Sequence, residues 1–429
     1  MTGPGLIFLQ LTVLLVTSQV IAYSIKRLGQ PPVVGQMLSG VVLGPSVFGL
    51  LSPGLQHQLF PPSAMPALSA MGQLGLALYM FVVGAEVDRH FLRKNMKGAA
   101  AVSSAGVAVP LVAGALLTLP LIGNSTLFPT GVAGWTRVAF FATAIAVTAF
   151  PVMARIIDEQ GLHGTAVANV ALAAGSISDV VAWTLLAVVM AGVATQSGGV
   201  FVILGGGAVI TIVMLSGVRL LLRRYLHGKL SASPLSARTL AFILALVMVS
   251  AWATTTTGLH PAFGAFLLGV AMPRNQLTTQ IQARISPVAV NLLLPIFFIY
   301  AGLNTRIGLV NTPQLVLLAL MIIAVACLSK GVACWLAATI AGYGQRDAVA
   351  IGILMNARGL VELIILTAAL DNKIITPTLF SIMVVMTVVT TLMAAPVLRY
   401  LYRPVQVEDG HADPPSILPR TDVTAEGHG

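Results

Sequence analysis

Four ionisable residues of this 429-residue chain fall deep inside long apolar runs. Asp179 lies in "AAGSISDVVAWTLLAVVM", Lys330 in "CLSKGVACW", and Arg358 with Glu362 in "GILMNARGLVELIIL". A charge at the centre of a bilayer is costly, so each is a candidate functional residue by default. The i, i+4 spacing of Arg358 and Glu362 puts them on one helix face within pairing distance. They are either a structural ion pair or members of an ion site. Asp179 and Lys330 have no partner within a turn of their own helices, which leaves two readings. They form a structural salt bridge with each other, or Asp179 is a titratable carrier. A lone carboxylate that holds either a proton or a cation supplies the competition that exchange requires.

Two of the apolar runs are also interrupted. In "FFATAIAVTAFPVMARII", Pro151 removes a backbone donor and frees carbonyls around Val147 and Thr148. In the second, Asn356, Arg358 and Gly359 break the run at similar depth. Irregular backbone at mid-membrane is tolerated only where it lines a cavity or is buried in protein, so a site is expected between the two breaks. Freed carbonyls, the Thr148 hydroxyl and one carboxylate form a set of hard oxygen ligands. Such a set suits Na⁺, Li⁺, K⁺ or a proton and suits thiophilic metals poorly. No His, Cys and acid cluster has zinc or iron spacing, and no cofactor is expected. An intramembrane aspartyl protease would need a second mid-membrane aspartate, and no other span supplies one.

The elements that must position these groups are helices in lipid. Hydrophobic residues make up 57% of the chain and charged residues 8%, against about 25% charged in a soluble domain. Apolar runs predict an all-α membrane protein of about 13 transmembrane helices within residues 1–404. The polar segment 405–429 is expected to be a disordered cytoplasmic tail without an assigned function. With Lys26 and Arg27 placed inside, eighteen basic residues share that side and only Arg137, Arg306 and Lys373 lie opposite. This asymmetry predicts a cell-membrane protein with its N-terminus outside and its C-terminus in the cytoplasm. The N-terminal run has no basic residue before it and is expected to be a retained first helix. The net charge of +10 is scattered over short loops, which argues against nucleic-acid binding. Cys327 and Cys334 are seven apart, too far for a disulfide along a helix.

The run "PPVVGQMLSGVVLGP" echoes "HPAFGAFLLGVAMPR": Pro32, Gly35 and Gly40 are spaced like Pro261, Gly264 and Gly269. Each is followed by a helix ending in Phe, Gly and a polar residue, "MFVVGAEVD" with Glu86 and "FFIYAGLNT" with Asn304. An offset of seven spans gives the copies opposite orientation, the inverted-repeat signature of secondary transporters. Small-residue spacings also recur wherever helices pack closely, which is the alternative explanation.

Taken in order, "GQPPVVGQMLSGVVLGPS", "GLALYMFVVGAEVD", "TAFPVMARIIDEQ", "ISDVVAW", "HPAFGAFLLG" and "MNARGLVELIIL" resemble the monovalent cation:proton antiporter family, the second branch of the cation:proton antiporter superfamily. The resemblance runs from about Gly29 to Pro404. It implies a homodimer in which each subunit has a dimerisation domain and a core domain with two crossed, broken helices, working by an elevator-like alternation. It implies that Asp179 is the cation and proton site, that Thr148 lies at the first helix crossing, and that Arg358 lies in the second broken helix. Lys330 stands at the family's core lysine position, and Glu86 lies in a family segment near a membrane end. Two departures matter. Relatives that move net charge carry two adjacent aspartates where this chain has Ser178 and Asp179, so an electroneutral exchange is expected, with Lys330 as the alternative second proton source. Relatives gated by nucleotide or thiols carry a large regulatory domain; none follows here, and regulation of that kind is not expected. A cation channel, or a carrier of another solute with the same fold, is the alternative function.

Overall fold

A computed structural model describes residues 4–28, 30, 32–86, 96–162, 165–192, 199–227, 235–273 and 275–401. The expected tail, and the basic residues between 87 and 95, lie outside the described residues. Among the described residues every regular element is helical. Twelve helices are long and apolar enough to cross a membrane, and Pro261–Ala271 is a further apolar helix of 11 residues. The thirteen expected spans are thus twelve of full length and one short one, about 16 Å long at the helical rise.

The first half contains α1 (Pro4–Arg27), α2 (Pro32–Leu43), α3 (Met65–Glu86), α4 (Met96–Thr118), the interrupted pair α5 (Gly134–Ala146) and α6 (Phe150–Glu159), and α7 (Ala166–Ala191). A connecting helix, α8 (Gly199–Ile212), continues through a π-helical segment, Val213–Val218. The order then returns: α9 (Ala237–Thr256), α10 (Pro261–Ala271), α11 (Leu294–Leu303), α12 (Pro313–Ile340), the interrupted pair α13 (Gln345–Met355) and α14 (Leu360–Asp371), and α15 (Pro377–Leu401). Local sequence sets these starts. Thr165 caps α7 by accepting the Ala168 N–H at 3.1 Å. Thr312 accepts from Leu315 ahead of a proline in the first turn of α12.

The two halves are interlocked rather than side by side. The short helix α2 of the first half lies on α11 of the second, and α10 of the second lies on α3 of the first. Glycines make both approaches possible. A Cβ on Gly40 would stand 2.7 Å from the Ile299 backbone and 2.8 Å from that of Gly302. A Cβ on Gly269 would stand 2.2 Å from the Phe81 carbonyl and 2.9 Å from the Gly84 backbone. Gly40 and Gly269 are equivalent in the sequence echo, and so are Gly302 and Gly84. The same correspondence continues one turn away, where Gly35 lies against Ala22 of α1 and Gly264 against Ser250 of α9. Close packing alone would place small residues at contacts; it would not pair them reciprocally between halves. The glycine spacing is therefore an inverted repeat.

These helices form one bundle, and α4, α5, α7, α12, α13 and α15 pack into a second around the interrupted helices. The interruptions use different residues to the same end. Pro151, the second residue of α6, has no N–H to give Val147, so α5 cannot run on. Gly359, at the matching place before α14, has φ of +153° and its Cβ position is 2.9 Å from Val152, a conformation and a gap that only glycine satisfies without strain.

Candidate functional site

The two interruptions, Val147–Ala149 and Asn356–Gly359, cross at the centre of the second bundle. The N–H of Ala149 donates to the carbonyl of Ala357 at 3.0 Å, tying one break to the other. Each break is then held by the last helix of its own half. The N–H of Phe150 points to Asp179 Oδ1 on α7 at 3.5 Å. The N–H of Arg358 donates to Thr391 Oγ1 on α15 at 3.2 Å, and the Thr391 hydroxyl donates back to the Arg358 carbonyl at 2.8 Å. Asp179 and Thr391 are thus counterparts, one an acid and the other a hydroxyl.

The break turns the N–H groups of Ala149 and Phe150 away from α5, and three carbonyls at the end of α5 take side-chain donors instead. Those of Ala144 and Ile145 accept from the Arg358 guanidinium, at 2.8 Å from Nη1 and 2.5 Å from Nη2. That of Ala146 accepts from Lys330 Nζ. Two cations therefore sit at the negative end of a half-helix, where the peptide dipoles favour them. Lys330 reaches this point because α12 and α13 touch through glycine: the Cβ position of Gly352 is 2.6 Å from the Gly331 carbonyl. Val147, whose helical partner would be Pro151, lacks that donor altogether.

Asp179, Thr148, Lys330, Arg358 and Glu362 are all buried, at 1% exposure for Asp179 and 0% for the others. Among the described residues, Asp179 Oδ2 and Thr148 Oγ1 have no hydrogen-bond partner. Ser178 Oγ is 3.0 Å from Ser103 Oγ of α4, so the residue before the acid is tied to a neighbouring helix. No ion pair within 4.0 Å joins Asp179 to Lys330 among the described residues; the ammonium serves Ala146 instead. Arg358 Nη1 and Glu362 Oε1 pair at 3.4 Å. Their i, i+4 spacing acts differently from the expectation of one helix face, because Arg358 lies in the break, outside any helix, and Glu362 in the first turn of α14. The pair spans the interruption. Glu86 is exposed at the last residue of α3, outside this buried cluster. Cys327 and Cys334 are free thiols.

Sequence reasoning missed Ser103, Thr391 and the carbonyl acceptors of α5. No register in the sequence pointed to Thr391: carrying the alignment of the two breaks forward places Met386 and Thr387 where α7 has Ser178 and Asp179.

A cavity of about 80 Å³ is lined by Pro151, Val152, Arg155 and Leu360 on the interrupted helices, and by Gln36 and Tyr79 on α2 and α3 among others. It lies where the first turns of α6 and α14 face the other bundle.

A transmembrane fold of inverted halves with a buried acid at two crossed helix breaks defines a class of ion-coupled secondary transporters. The family described as "Sodium/hydrogen exchanger, transmembrane" matches residues 12–402, and the chain belongs to that family. Among its relatives is the Na(+)/H(+) antiporter NhaS4 of Synechocystis sp., 35% identical over 399 residues that cover 92% of this chain and 97% of the relative. The K(+)/H(+) antiporter 1 of Saccharomyces cerevisiae is 32% identical over 438 residues, 99% of this chain but 50% of that protein. Among solved structures, the sodium proton antiporter MjNhaP1 of Methanocaldococcus jannaschii aligns with a TM-score of 0.67 at 14% identity, covering 93% of this chain and 96% of that one. At that identity the likeness concerns the fold alone.

Proposed function

We propose that this protein exchanges a monovalent cation, Na⁺ or K⁺, for protons across the membrane, with Asp179 carrying each in turn. The observation that carries this reading is the state of the Asp179 carboxylate: fully buried, with one oxygen facing a backbone N–H of the break and the other without a partner. An acid used only for architecture would have both oxygens engaged, since an unsatisfied buried oxygen costs stability. Thr148 Oγ1 and the Val147 carbonyl, at the same break, complete a set of hard oxygen donors. The relatives named as Na(+)/H(+) and K(+)/H(+) antiporters support this chemistry and differ in the cation named.

The proposed cycle is electroneutral. Ser178 supplies no second acid beside Asp179, Glu362 is paired with Arg358, and Lys330 is engaged by Ala146. One proton for one cation follows. The distribution of basic residues supports an outside N-terminus and a cytoplasmic C-terminus, and the family resemblance supports a homodimer with elevator-like motion of the second bundle. Proteoliposomes with an imposed pH gradient, challenged with Na⁺, Li⁺ or K⁺ while a pH-sensitive dye is followed, test the function. Cation flux without proton coupling would instead indicate a channel.

A further inference from the structure

We propose that Asn356 is a second ligand of the transported cation, presenting its side-chain oxygen from the other interrupted helix; the proposal rests on the exchange function above. Asn356 begins the second break as Thr148 stands in the first, and each immediately precedes one of the two alanines joined backbone to backbone, Ala149 and Ala357. Both side chains carry a buried oxygen without a hydrogen-bond partner among the described residues, Thr148 Oγ1 and Asn356 Oδ1.

The orientation of the Asn356 amide is fixed by its surroundings. Nδ2 donates to the carbonyl of Cys327 on α12 at 3.1 Å, and only the nitrogen end of an amide can do so. The oxygen is therefore the end left over. Room for this arrangement comes from Gly331, next to Lys330, because a Cβ there would stand 2.6 Å from Nδ2. A glycine that admits the amide, a carbonyl that orients it and an oxygen with no partner are together hard to reconcile with a role in packing. A buried amide kept for packing would have its oxygen satisfied as well.

Added to a hydroxyl and a carboxylate, a neutral amide oxygen raises ligand number without adding charge. It therefore changes which cation is preferred while leaving the proton bookkeeping to Asp179. The dipole strength and number of such oxygens are what distinguish Na⁺ from K⁺ at a dehydrated site.

The test uses the full chain in proteoliposomes, measuring apparent KM and kcat for Na⁺, Li⁺ and K⁺ in wild type, Asn356→Leu and Asn356→Asp. The Leu variant is expected to raise KM for the exchanged cations about tenfold, the equivalent of one lost contact of hydrogen-bond strength, with kcat changed less. The Asp variant keeps an oxygen but loses the donor to Cys327. It is expected to hold KM near or below the wild-type value and to shift the KM ratio of Na⁺ to K⁺. Equal impairment in both variants would show that only the tie to Cys327 matters and would overturn the assignment. So would KM values within twofold of wild type in both. If Asn356→Leu cannot be purified folded, Asn356→Asp and Asn356→Ser decide alone, both retaining an oxygen and both expected to change the cation ratio. A wild type that exchanges no cation for protons would sink the proposed function itself, whereas exchange untouched in every variant would overturn only the role of Asn356.

Discussion

The amide of Ala149 and the carbonyl of Ala357 lie 3.0 Å apart, joining two helix breaks that are more than 200 residues apart in the chain. Around that bond the donors and acceptors released by the breaks are shared out. Amides go to Ala357, Asp179 and Thr391, and carbonyls go to Arg358 and Lys330. Loosening any one of these contacts changes the geometry seen by the others.

Asp179→Asn retains the shape of the side chain and removes its titration. Cation-dependent proton flux in proteoliposomes is expected to vanish while the variant remains monodisperse in detergent. Thr148→Val removes only the unpartnered hydroxyl and is expected to raise the cation KM about tenfold, one hydrogen-bond-strength contact. Asp179→Asn exchanging at the wild-type rate would make the acid structural.

Arg358 serves two carbonyls besides Glu362. Arg358→Leu should therefore destabilise by about 3 to 5 kcal/mol, the usual consequence of leaving a buried charge unpaired. The double variant Arg358→Leu with Glu362→Leu removes the charge imbalance but still orphans Ala144 and Ile145. It is expected to recover only part of the loss in thermal unfolding, and full recovery would show that those two hydrogen bonds contribute little. A folded Glu362→Gln variant without transport would move Glu362 into the ion site.

Charge balance is tested by voltage. With a potassium gradient and valinomycin setting the membrane potential, Na⁺-driven proton flux at fixed pH is expected to ignore the potential. Flux that follows it would refute one-for-one exchange and implicate Lys330, in which case Lys330→Gln should lose the voltage dependence before it loses exchange.

The glycine crossings make a prediction about stability alone. Gly40→Ala and Gly269→Ala each place a methyl group against backbone that cannot step aside. Each is expected to lower stability by roughly 1 to 3 kcal/mol, the range for overpacking. Gly54→Ala, where the Cβ would meet nothing within 4 Å, is the control. Equal melting temperatures for all three would mean that the helices separate easily at these seams.

Much of this was legible in the sequence. The spans follow from composition, both breaks from proline or glycine within apolar runs, and the repeat from glycine spacing. Of the proposed exchange site, Asp179 and Thr148 could be singled out from the sequence, because a buried acid and a broken helix are each anomalous in lipid. The fate of the carbonyls was not. That Arg358 would cap Ala144 and Ile145 depends on where two helices cross, and no local pattern encodes a contact across 213 residues. For the same reason the i, i+4 spacing of Arg358 and Glu362 suggests one helix face, although the break at Gly359 leaves Arg358 outside the helix and Glu362 in its first turn.

The reciprocal seams, Gly40 with Gly302 and Gly269 with Gly84, have a consequence for how the protein is made. Each half supplies the short helix that the other half needs, so neither can close on itself. At about 5 to 20 residues per second, the segment around Gly40 waits roughly 10 to 50 seconds for Gly302 to be synthesised. During that interval the spans of the first half are inserted but unfinished, with their seam glycines facing lipid or whatever insertion factor shelters them. The two halves expressed as separate chains should accordingly survive proteolysis in the membrane only when made together; a first half that is stable alone would show that its short helix finds a partner within its own repeat.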